Sequence, residues 1–126
     1  MKRDAMLGSI GENNRTIQVL LQMKSAKTQA VQAAMNQKAR TKTPLNQRQQ
    51  DMFIELTGVF AAEGGRLQQS LLDMENTVLI NFKEELHTKN DAIFTQSLMR
   101  LLDQQHTAIY SLRRMIAHSE KMLCIL

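Results

Sequence analysis

The chain has 126 residues, 43% of them apolar and 22% charged, with a net charge of +4. This composition excludes wholesale disorder, and one domain of this size buries roughly two-thirds of its unfolded surface without disulfide staples. Only 4% of residues are aromatic and none is Trp, so the stacking platforms that hold single-stranded bases are nearly missing.

Cys124 is the sole cysteine and reads as a small hydrophobe in a reducing compartment. Prenylation would need three residues after it, and only Ile125 and Leu126 follow. No stretch approaches ~18 consecutive apolar residues, and residues 1–11 contain no apolar core of a signal peptide. The expectation is a cytoplasmic chain with no membrane span and no cleavable export signal.

The first predicted helix covers about residues 10–40. Val19, Met23, Ala26, Ala30 and Ala33 recur at alternating steps of four and three, small residues that permit tight contact, and this face is expected to be its core side. Another face mixes Ile17, Leu20, Val31 and Met35 with Lys24, Lys27, Lys38 and Lys42, whose ammonium groups must reach water or acids. Residues 1–48 hold nine Lys or Arg against two Asp or Glu, a balance of +7, whereas residues 49–126 hold seven against ten, −3. Three destinations for the four lysines are open: acids of the same chain, such as Asp51, Glu55, Asp73 or Glu84; an acidic protein partner; or nucleic-acid phosphates.

Thr43 and Pro44, the only proline, read as an N-cap followed by the first position of a second helix, about 44–87. Met52, Leu56, Phe60, Leu67, Leu71, Met74, Val78 and Phe82 form one stripe along it. A second set, Ile54, Ala61, Leu72, Leu79 and Leu86, lies about 140° round the wheel at ~100° per residue. Two apolar faces require either a central place in the bundle or another subunit, which makes Ile54, Leu72, Leu79 and Leu86 a candidate partner interface. Gly64 and Gly65 cost roughly 2 kcal/mol of helix propensity and could divide this segment into two helices, giving a four-helix bundle. The stripe keeps phase from Phe60 to Leu67, however, so a continuous or kinked helix with a close neighbour at the glycines is preferred.

Thr88 and Asp91 stand at capping-box spacing in a polar break. A third helix is predicted over about 91–123. Leu102, Ile109, Ile116 and Leu123 repeat at sevens, with Leu98 and Leu112 four residues before two of them. This heptad seam is interrupted by Gln105 and Ser119, polar residues of a kind that set register at a cost in stability.

Chemistry-bearing motifs are sparse. Glu84 and His87, and Asp103 and His106, have the carboxylate-x-x-His spacing of di-metal bundles, but helix 1 offers only Glu12 as a further ligand and these residues lie off the apolar stripes. No metal, cofactor or small-molecule substrate is therefore assigned. His118 has no carboxylate or Cys at nucleophile-and-base spacing, no phosphate-binding Gly loop occurs, and Tyr110, Arg113 and Arg114 read as solvated surface. The sequence as a whole predicts an all-α single domain, residues 1–126, of three long helices with coiled-coil-like packing. Its expected role is that of a non-enzymatic interaction or assembly subunit, homo- or hetero-oligomeric, with a basic nucleic-acid-contacting subunit as the alternative.

Overall fold

The structure, a computed structural model, describes residues 2–81 and 91–126 and is built of three α-helices: α1 (Lys2–Thr41), α2 (Gln47–Asn81) and α3 (Asp91–Ile125). No strand occurs among the described residues, and the protein is an all-α helical bundle.

The heptad pattern of α3 explains its position. Leu98, Gln105, Leu112 and Ser119, seven residues apart, are each 1% exposed or less. Leu101, Ala108, Met115 and Met122 flank that line on one side, and Leu102, Ile109, Ile116 and Leu123 on the other. At ~100° per residue these three lines span about 100° of the helix surface, wide enough to face two neighbours at once. α1 and α2 accordingly lie along α3 and barely approach each other. The central helix is thus α3, so of the two alternatives open for the apolar sets of α2 a central place in the bundle is not the one observed. The main stripe of α2 is turned inward only in its middle, where Leu67 is buried and Phe60, Leu71 and Met74 are half-buried, while Met52 and Val78 are exposed; Phe82 lies outside the described residues.

α2 is continuous through Gly64 and Gly65, so no fourth helix arises there. The in-phase stripe explains this, because Phe60 and Leu67 both pack into the same apolar cluster. A Cβ on Gly64 would come 3.3 Å from Met115 Cε of α3, whereas one on Gly65 would meet nothing within 4 Å. Only Gly64 makes the close approach expected of the pair.

α1 overturns the expectation about its core side. Val19, Met23, Ala26, Ala30 and Ala33 are exposed, and the buried seam is Met6, Ile10, Ile17, Leu20 and Val31. Counted at steps of four and three, this seam also passes through Asn13, Lys24 and Lys27, all half-buried. The lysine stems cover apolar surface while their charges reach water, which is how a partly charged line can still face a neighbour. α1 also begins at Lys2 rather than near residue 10, because Met6 and Ile10 close an apolar cluster with Leu98 and Leu101. Arg3 stacks over the Phe94 ring at 4.1 Å and ties its first turn to α3.

The α1–α2 connection is fixed by backbone chemistry at both ends. Lys42 takes the left-handed conformation, φ 51°, and the Thr43 N–H donates to Lys38 O at 3.2 Å, the six-to-one bond of a Schellman C-cap. Asn46 then caps α2: its Oδ1 accepts from the Gln49 N–H at 2.9 Å, and Gln49 Oε1 accepts from the Asn46 N–H at 3.0 Å. This reciprocal capping box displaces the expected start at Thr43 and Pro44, which belong to the connection instead. Residues 88–90 of the predicted polar break lie outside the described residues.

Candidate interaction surfaces

The second apolar set of α2 lies on the side away from α3. Ile54 is 69% exposed, Leu72 47% and Leu79 43%, and Ala61 between them is exposed as well. Gly58 and Gly65 share this face by the helical wheel, and a Cβ at either would meet nothing within 4 Å. The face therefore has larger apolar side chains towards its ends and a flat middle where another backbone could come close. Leu86, the fourth residue of this candidate interface, lies outside the described residues.

The four lysines of α1 have different surroundings. Lys27 Nζ is 3.7 Å from Glu120 Oε1 of α3, so its acid comes from the helix that α1 packs on and not from α2. Asp51 and Asp73, two of the acids expected to meet α1, accept instead from Gln47 and Gln69 on their own helix, each at 2.8 Å. Glu84 lies outside the described residues. Lys24, Lys38 and Lys42 form no ion pair among the described residues.

Lys38 and Lys42 border a hollow of about 510 Å³ beside the α1–α2 connection. Its walls are Met35 and Ala39 of α1, Phe53 of α2, Pro44 and Leu45 of the connection, and Leu126. A second hollow of about 180 Å³ shares Met35 and Phe53 with the first and continues along the groove past Val31, Phe60 and Met122. No acidic residue lines either one among the described residues.

The two contacts of α3 carry different polar chemistry. Towards α1, the Gln105 Nε2 group donates to Asn14 Oδ1 at 2.8 Å and to Ile10 O at 3.1 Å, and Gln105 Oε1 accepts from Asn13 Nδ2 at 3.2 Å. This neutral amide layer separates the two apolar clusters of the core, which fits the register-setting role expected for Gln105. Ser119, the other interruption of the seam, donates to Met115 O within its own helix. Towards α2, Glu63, with a side chain 4% exposed, receives Arg114 Nε at 2.8 Å and Arg66 Nη1 at 2.7 Å on the same oxygen, Oε1. Arg114, with a side chain 42% exposed, is solvated as the sequence suggested and is also a tie between helices. Sequence reading missed Glu63 and Arg114 because they stand 51 residues apart, with no local spacing to link them.

Beside them, Glu63 Oε2 and both ring nitrogens of His118 are buried without a hydrogen-bond partner among the described residues. Burial of the ring, then the positive charges of Arg114 and Lys121, hold the His118 pKa below its usual 6.5, against an opposing pull from Glu63. His118 is consequently neutral near pH 7. The site lacks the donor set of a metal centre: no group of three or more His, Cys, Asp or Glu among the described residues could hold an ion, and Asp103 and His106 are both exposed. His87 and Glu84 lie outside the described residues. Cys124 is exposed, next to Met52, Leu56 and Lys121 around a shallow surface hollow. No helix among the described residues is long and apolar enough to cross a membrane. Comparison of the chain with protein-family models, with curated proteins and with solved structures found no match.

Proposed function

We propose that the protein is a non-enzymatic assembly or adaptor subunit that works in the cytoplasm through protein–protein contacts, as a single helical domain. The observation that carries this reading is the alignment of Ile54, Leu72 and Leu79 on the outer side of α2, where they face solvent in line with the small residues Gly58, Ala61 and Gly65. Apolar side chains scattered singly need no explanation, but a line of them at helical spacing is the surface an amphipathic helix buries against a partner. A second copy of the chain is the partner to test first.

Light scattering coupled to size exclusion gives the test. The wild type is expected to form an oligomer that the double substitution Leu72→Glu, Leu79→Glu dissociates, with circular dichroism unchanged because both residues are already exposed. A wild-type chain that stays monomeric over the measured concentration range would overturn the self-association form of the proposal. The alternative, in which α1 meets nucleic-acid phosphates, rests on Lys24, Lys38 and Lys42. It ranks second because two of the three border an apolar hollow that phosphate contacts do not require. Duplex or single-strand binding that weakens steeply with salt, by about 0.7–0.9 in log–log slope per lysine contact, would put it first.

A further inference from the structure

We infer that the groove between the C-terminal half of α1 and the N-terminal half of α2 is a second docking site, and that it takes an acidic amphipathic helix of a partner protein. The groove exists because the seam of α1 changes character along its length. Up to Leu20 its side chains join the core clusters, but beyond that point the seam positions include Lys24 and Lys27, which cannot enter a dry interior. Apolar side chains of α1 and α2 are left around hollows near their connection, and neither helix fills them.

Three observations define the occupant. The apolar part of the lining is arranged at helical steps, Val31, Met35 and Ala39 on one wall and Phe53 and Phe60 on the other, over about 16 Å at 1.5 Å per residue from Thr28 to Ala39. Hollows of about 510 and 180 Å³ hold side chains and not a whole helix, so the partner backbone rides on the open side and inserts one apolar edge. Charge supplies the sign: Lys38 and Lys42 stand at the closed end of the groove without an ion pair among the described residues, and no Asp or Glu side chain lines the walls among them. Lys42 is also held at φ 51°, a conformation that glycine adopts without the steric cost a lysine bears. A positively charged, closed end suits acidic side chains and the negative end of a helix dipole. This surface is separate from the outer face of α2, so either site can fail without the other.

The test uses the full chain and two fluorescein-labelled designed helical peptides of about five turns, with leucines on one edge and either glutamates or lysines flanking it near the C-terminal end. Fluorescence anisotropy at physiological ionic strength is expected to show the glutamate peptide binding at least about tenfold tighter than the lysine peptide. The double substitution Lys38→Glu, Lys42→Glu should reverse that preference, a rescue that damage to the fold cannot produce. Ala39→Trp, at an exposed lining position, should fill the larger hollow and weaken the glutamate peptide about tenfold while leaving the thermal melt unchanged. Equal binding of the two peptides, no binding of either, or binding of the fluorescent fatty acid cis-parinarate in place of the peptide would each overturn the inference. Repeating the titration on the Leu72→Glu, Leu79→Glu variant separates the two surfaces: groove binding is expected to be unchanged whatever that variant does to self-association.

Discussion

The two contacts that α3 makes differ in how their polar groups are satisfied. Against α1 the polar layer is neutral, Gln105 with Asn13, Asn14 and the Ile10 carbonyl, and both ends of the Gln105 amide are used. Against α2 it is charged, and it is incomplete: Glu63 Oε1 takes two arginines while Glu63 Oε2 and the His118 ring have no partner among the described residues. A fully satisfied buried amide restricts the pairing of two helices to one register and is indifferent to pH, whereas a desolvated imidazole beside two cations ties stability to protonation. One helix thus has a register-setting side and a titratable side.

The largest effect is expected on the neutral side. Gln105→Ala removes three hydrogen bonds from a residue with no exposed surface and leaves a void, and should cost about 3 kcal/mol in urea unfolding. Gln105→Leu fills the void and should cost nearer 1 kcal/mol, but with broadened amide resonances as α1 samples other registers on α3. A Leu variant with sharp spectra and raised stability would show that the amide layer does not select register.

On the charged side the expected effect follows pH. The folded-state pKa of His118 lies below 6.5, so as pH falls the unfolded chain takes up the proton first. Its contribution to stability is complete above about 6.5 and is lost as pH falls from there towards the folded-state value. Urea midpoints measured on either side of pH 6.5 should fall on acidification in the wild type, and His118→Leu should remove that part of the fall. The Gln105 variants should keep it, which would separate the two contacts directly.

The smallest effect probes how closely α2 seats on α3. In the Leu72→Glu, Leu79→Glu background, where the outer face of α2 is free, Gly65→Ala has nothing near the added methyl and should raise stability by about 1 kcal/mol through helix propensity. Gly64→Ala gains the same propensity, but its methyl comes 3.3 Å from Met115 Cε, and the flexible end of Met115 must give way inside a buried site. Thermal melts should therefore rank Gly65→Ala above Gly64→Ala. Equal gains would mean that Met115 yields without cost and that the α2–α3 contact is looser than the α1–α3 contact.

Sequence alone determined the helices, the phase of α2 across its glycine pair and the buried line of α3 from Leu98 to Leu123, because there the apolar period and the burial coincide over four heptads. It also placed Ile54, Leu72 and Leu79 off the main stripe of α2, and the structure leaves them exposed. Tertiary structure alone decided which helix is central and which side of α1 is buried. A hydrophobic pattern scores Ala26, Ala30 and Ala33 as apolar and Lys24 and Lys27 as polar, yet small methyl side chains lose little by facing water and lysine stems can cover a neighbour while their charges stay solvated. The amide layer, the Glu63–Arg114 tie and the groove beside Phe53 join residues from different helices, so no local spacing could announce them. They exist only once α3 has drawn both of its neighbours onto one wide apolar arc.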